Sequence, residues 1–240
     1  MLDRIRIVLI NTTHPGNIGS VARAMKTMGL AELYLVNPEQ YPHPKAVEMA
    51  SNAGDVLADA VVVDSLEQAI GDCSLVIGTS ARSRKIPWPL LAPREMAERI
   101  KQEPSSHRTA ILFSQEQSGL TNEELQRCHI HIQIPANPAY SSLNLAAAVQ
   151  VIAYELRVAS LDQPAVVDEW DYRPATANEM ERFFEHLEEV MQQIQFLKPE
   201  APRKLMTRLR RLYFRARPDE MEMNILRGML TAIQTSLQKK

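Results

Sequence analysis

The sequence is poor in cysteine: Cys73 and Cys128 are the only two in 240 residues, and they form no C-x-x-C pair. That excludes a disulfide-stapled scaffold and a cysteine-rich zinc site, and two reduced thiols suit a cytoplasmic protein. The histidines, at positions 14, 43, 107, 129, 131 and 186, include no H-E-x-x-H pair and no clustered carboxylates, so no metal site is expected. Neither G-x-G-x-x-G nor G-x-x-x-x-G-K-[ST] occurs, which weakens readings as a dinucleotide or nucleoside triphosphate enzyme. Charge of one sign is also missing. Lys plus Arg number 27 against 29 Asp plus Glu, so a protein that coats nucleic acid by bulk charge is excluded and any nucleic-acid site must be a local patch. The opening "MLDRIRIVLINTT" holds an apolar run too short for a signal h-region or a membrane span, so a cytoplasmic location with no membrane partner is expected.

What is present is an ordinary globular composition, 45% apolar and 23% charged, in a chain long enough for one large domain and a smaller one. "IRIVLI" is a short β-branched run followed by the turn-prone "NTTHPGN" and by "IGSVARAMKTMGL" with helical spacing. The unit recurs. "LYLV", "AVVV", "SLVIGTS", "TAILF" and "HIHIQI" each lead into a loop or a helical pattern, and this alternation implies a mostly parallel α/β sheet. Near residue 160 the pattern stops at the polar, proline-containing "SLDQPAVVDEWDYRPA". Residues 1–160 therefore read as one domain, 161–175 as a linker and 176–240 as a small helical module. In the module, Thr176 and Glu179 form a capping box ahead of Met180, Phe183, Phe184, Leu187, Val190, Met191 and Ile194 at helical intervals. "PRKLMTRLRRLYFRARP" is a basic amphipathic segment in which Leu205, Leu209, Leu212 and Tyr213 share a face, and a third helical segment completes the module.

Parallel sheets bind ligands beyond the carboxyl ends of their strands, so the loops there carry the search. In "NTTHPGNIGSVAR" the glycines at 16 and 19 precede the helical pattern, and Asn17 and Arg23 add functional groups to what is otherwise a tight turn. "GTSARSRKIPWP" sets the small residues Thr79, Ser80 and Ala81 before Arg82, Arg84 and Lys85, a pattern that suits phosphate contact or a solvated basic loop. Trp88 beside it suits stacking on a base or plain packing. "AILFSQEQSGLTNEE" delivers Ser114, Glu116 and Gly119 from a strand end into a Thr121–Glu124 capping box. In "IPANPAYSSLNLAAAVQ", Ser141 and Ser142 either cap the following helix or offer hydroxyls and amides to a ligand, with Asn144 in its first turn.

Together, "HPGNIGSVARAMKTMGL", "GTSAR", "E-x-x-GLTNEEL" and "IPANPAYSSLNLAAAVQ" resemble the SPOUT superfamily in its TrmH-like branch, and the resemblance extends over nearly the whole chain. It implies a deep trefoil knot that holds S-adenosyl-L-methionine, an obligate homodimer, and 2′-O-methylation of the ribose at nucleotide 32, a cytidine or uridine, in the anticodon loop of tRNA. Carried over by motif, the cofactor pocket comprises Thr79, Ser80, Ala81, Ser114, Ile134, Ser141, Ser142 and Leu143. Arg23, Asn17, Glu116, Ser142 and Asn144 are the implied catalytic group, and RNA contacts fall to Arg23, Arg82, Arg84, Lys85, Arg208 and Arg211. Guanidinium is always protonated, so Arg23 is expected to orient and clamp phosphate rather than to act as a base. The chain departs from the family pattern F-G-x-E-x-x-G-L at Ser114, with Gln115 after it. Glycine at such a place serves positive φ or close approach to a ligand. The alternative reading is therefore a knotted tRNA-binding dimer whose cofactor affinity is impaired at Ser114.

Overall fold

The computed structural model describes residues 1–79, 88–114, 119–161, 172–197 and 204–238. Seven strands form one sheet: β1 (Ile5–Ile10), β2 (Glu32–Val36), β3 (Val61–Val63), β4 (Leu75–Thr79), β5 (Leu90–Leu91), β6 (Thr109–Phe113) and β7 (Ile130–Ile132). Their spatial order is β3-β2-β1-β6-β4-β7-β5, and every pairing is parallel. Burial of all six residues of β1 explains why it is apolar apart from Arg6, whose guanidinium is paired with Glu32 and Asp72, since a strand covered on both faces has no polar side to alternate with.

One face of the sheet carries Ile7, Leu9, Ile77, Ile111, Phe113 and Ile132 in a single core with buried residues of α1 (Pro15–Met28), α5 (Pro93–Lys101) and α7 (Leu145–Leu161). The other carries Val8, Val36, Val76, Ala110 and Leu112, packed with α4 (Leu66–Ile70) and α6 (Asn122–Leu125). Helices α2 (Pro44–Ala50) and α3 (Gly54–Ala58) flank α1. Both α1 and α2 open with a His-Pro pair, in which Nδ1 of His14 or His43 accepts the amide two residues on and proline fills the first helical position.

Two expectations need correction. The glycines at 16 and 19 lie inside α1, not before it, because His14 is the cap. A Cβ on Gly19 would collide with the Ala46 carbonyl, so this glycine permits the close crossing of α1 and α2. The serines at 141 and 142 do not cap α7. Asn144 does, its Oδ1 accepting from the amides of Ala146 (2.9 Å) and Ala147 (3.4 Å).

The last three helices are α8 (Ala177–Gln193), α9 (Leu205–Ala216) and α10 (Glu220–Gln238). The Thr176–Glu179 capping box forms, and Met180, Phe183, Phe184 and Val190 are buried in a core of their own with Phe214 and Met223. Leu212 is 46% exposed, and Phe214 is the buried residue of α9, so the apolar stripe of that helix is rotated from the one its leucines suggest. These helices dock on the β4–β7 side of the sheet. Amides of Ala177 and Asn178 donate to the carbonyls of Cys73 and Gly71, and the Arg217 guanidinium meets the Glu103 carboxylate beyond α5. Among the described residues, no helix is long and apolar enough to cross a membrane.

Candidate functional site

Strands β1, β6, β4 and β7 are adjacent, and their carboxyl ends form one edge. Gly78 pairs with Leu112 and Thr79 with Ile132, so Thr79, Phe113 and Ile132 stand in one row, with Ser114 and Ile134 just beyond it. Three predicted cofactor residues from distant parts of the chain thus meet at neighbouring strand ends. Thr79 Oγ1 donates to the Leu112 carbonyl at 2.9 Å, so its hydroxyl ties β4 to β6.

The backbone of this edge departs from ordinary strand geometry. Asn11, directly after β1, has φ 49°, and Gly119 has φ 71°. Gly119 is the position in the β6 loop where the left-handed conformation demands glycine, and no described atom lies within 4 Å of where a Cβ would stand. Ser114 is not among the positive-φ residues, so the conformational reason for glycine there does not apply to this chain.

On the adjoining face, Asn144 Nδ2 donates to Asn17 Oδ1 at 3.1 Å, joining the N-terminus of α7 to that of α1. Because Asn144 Oδ1 is committed to capping α7, its amide must point its nitrogen at Asn17, and the polarity of the pair is determined. Arg23 is exposed two turns along α1 from Asn17. Ser141, Ser142 and Leu143 lie on the exposed approach to α7. Ser80, Ala81, Arg82, Arg84, Lys85 and Glu116 fall outside the described residues.

Two arginines of this region are committed to buried-side ion pairs, Arg210 in α9 and Arg217 just past its end. Arg210 makes a two-pronged pair with Glu181 at 2.6 and 2.7 Å, and Arg217 does the same with Glu103, so both hold the module together or to the sheet. Arg208 is exposed and Arg211 half-buried, on a helix docked on the opposite side of the sheet from α1 and α7.

Sequence reasoning missed the platform on which the module sits. His131 in β7 and His129 immediately before it project from the face opposite Ile130 and Ile132. His129 Nδ1 accepts the Val76 amide at 3.0 Å while its ring meets Phe214 edge-on, with centroids 4.7 Å apart. Burial, with Arg217 nearby, pushes its pKa down to about 3, so the ring is neutral. The period-two spacing of the two histidines on an apolar strand was the available signal.

Residues 4–154 match the model of the SpoU rRNA Methylase family, and residues 178–240 match that of the tRNA methyltransferase TrmJ C-terminal domain. The tRNA (cytidine/uridine-2'-O-)-methyltransferase TrmJ of Sodalis glossinidius is 55% identical over 237 residues, which is 98% of this chain and 92% of that protein. The TrmJ of Pectobacterium atrosepticum is 54% identical over 236 residues, 98% of each chain. In structure, TrmJ from Z. mobilis ZM4 superposes with a TM-score of 0.84 at 32% identity, over 95% of this chain and 98% of the other. The chain belongs to the SpoU rRNA methylase family and, within it, to the TrmJ group.

Proposed function

We propose that this protein transfers a methyl group from S-adenosylmethionine to the ribose 2′-hydroxyl of nucleotide 32, a cytidine or uridine, in the anticodon loop of tRNA. The observation that carries the reading is the convergence of Thr79, Ser114 and Ile134 on adjacent strand ends beside the Asn17–Asn144 pair, in a chain of the TrmJ group.

The residues present fit the cofactor. The edge combines a left-handed Gly119 fronting open space among the described residues, strand-end backbone groups at Ser114 and Ile134, and an apolar floor of Phe113 and Ile132. When bound, S-adenosylmethionine supplies an activated methyl group. Ser80 and Ala81 belong to the same pocket, as do Ser141, Ser142 and Leu143 on the approach to α7. Asn17, held by Asn144, orients the ribose. Arg23 and Glu116 complete the catalytic group, Arg23 clamping a backbone phosphate with a planar fork that a lysine cannot reproduce. Positioning two substrates in line supplies a large share of the rate, and no covalent enzyme intermediate is required. Arg82, Arg84 and Lys85, with Arg208 and Arg211 on α9, bind tRNA phosphates.

The same reading includes a trefoil knot, a homodimer, a cytoplasmic location, and a division into a methyltransferase domain through residue 160, a linker over 161–175 and a tRNA-contacting module from 176 onward. The deciding assay is transfer of labelled methyl to tRNA transcripts that carry ribose or 2′-deoxyribose at nucleotide 32. Labelling of the ribose transcript alone is expected. Equal labelling of both refutes the assignment of the acceptor.

A further inference from the structure

The connection from β4 to β5 leaves at Thr79 and returns at Trp88, and both ends are tied to neighbouring strands. At the first end, Thr79 Oγ1 donates to the β6 carbonyl of Leu112. At the second, the Trp88 indole lies flat on the His131 ring, with centroids 5.4 Å apart and planes 6° from parallel. Its Nε1 donates to the Cys128 carbonyl at 2.8 Å, and the adjacent Pro89 carbonyl accepts the His131 amide at 2.8 Å. His131 is itself held, its Nε2 lying 3.1 Å from the Leu125 carbonyl. Trp88 also packs against the core of the helical module that contains Phe183, Phe184 and Phe214.

A second path runs beside the first. Phe214 of α9 abuts His129, whose Nδ1 receives the Val76 amide of β4. The module therefore bears on both strands whose carboxyl ends carry Thr79 and Ile134, through two rings on one face of β7. An indole committed to a carbonyl at its edge and to a parallel ring on its face has a single orientation, so the chain at residue 88 is positioned by β7 and the module together.

We propose that Trp88 is a positioning residue for the cofactor site: stacked on His131 and bonded to the Cys128 carbonyl, it braces β7 with the helical module as its backing, so that the module supports S-adenosylmethionine binding at the strand ends carrying Thr79 and Ile134 from the far side of the sheet. This rests on the methyltransferase reading above. It gives the module a role separate from tRNA contact, and it explains why a tryptophan with one exact hydrogen-bond partner stands where the connection returns to the sheet.

The test is calorimetric titration of S-adenosylhomocysteine into the full-length protein and its Trp88→Ala and Trp88→Phe variants, well below each melting temperature. Binding of tRNA without cofactor is measured in parallel. Loss of the stack and of the Nε1–H bond is expected to raise the Kd of Trp88→Ala about tenfold, and loss of the bond alone to raise that of Trp88→Phe about threefold. The affinity for tRNA should stay within about twofold of the original, since no phosphate contact is removed. A residue that only packs lowers the melting temperature and leaves the Kd unchanged, and that result overturns the proposal. A parallel fall in cofactor and tRNA binding marks general loss of structure and overturns it too. Should Trp88→Ala not fold, Trp88→Phe decides by the same criterion. Failure of the unmodified protein to bind S-adenosylhomocysteine refutes the methyltransferase reading together with this one, whereas unaffected variants refute this one alone.

Discussion

Replacing Glu103 by glutamine tests how the helical module is fastened to the sheet. The Glu103 side chain is 3% exposed and faces Arg217 through both carboxylate oxygens, one of them at 2.8 Å, with Arg99 and His107 each at 3.3 Å. Burial alone would raise its pKa, but hydrogen bonds from His107 and Arg217 outweigh that and hold it at about 2, down from 4.5. At ~1.4 kcal/mol for each tenfold in the ionisation constant, the depression is equivalent to roughly 3 kcal/mol of stability. Breaking a buried pair by removing one charge costs about 3 to 5 kcal/mol, which agrees. A carboxylate depressed on folding stabilises the protein fully above its unfolded pKa and loses that contribution as pH falls through its folded pKa. For Glu103 the window therefore runs from 4.5 down to about 2. Urea unfolding of the protein and of Glu103→Gln at pH 7, 5, 4 and 3 reads the difference directly. It should be close to 3 kcal/mol at neutral pH and should fall to about half by pH 3. A difference that stays constant over this range, or one that is absent at pH 7, refutes the assignment of Glu103 as an ionised buried clasp.

Asn144→Ala removes the α7 cap and the bond to Asn17, and should lower stability by ~1 kcal/mol in denaturant melts while reducing methyl transfer at saturating cofactor. Arg23→Lys should leave S-adenosylhomocysteine binding intact and cut methylation on the order of 100-fold, and near-normal turnover would remove the need for a planar cation. Ser114→Gly should leave cofactor affinity within about threefold, because φ at 114 is not in the glycine region, and tightening beyond about tenfold would reveal an intruding side chain. Neutralising Arg208 and Arg211 together should weaken tRNA binding and flatten its log–log salt slope by roughly 1 to 2, whereas Arg210→Gln should lower the melting temperature because Arg210 is paired with Glu181.

The local grammar of the chain is legible in the sequence itself. Apolar runs such as "IRIVLI" and "TAILF" are strands, the boxes at Thr121–Glu124 and Thr176–Glu179 are caps, and the strand–helix alternation is a parallel sheet, because each of these depends on groups within a few residues of one another. The loops that carry the motifs follow β1, β4, β6 and β7, and in a parallel sheet such loops leave from one edge. Only the tertiary structure decided which distant groups meet. It joined Asn144 to Asn17 across 127 residues of sequence and Arg217 to Glu103 across 114, and it turned Phe214 inward in place of Leu212. It also made a platform of two histidines that, read along the chain, only alternate on a strand. The physical reason is that a side-chain period states which residues share a face, while the partner of that face is chosen by packing among elements that the sequence leaves far apart.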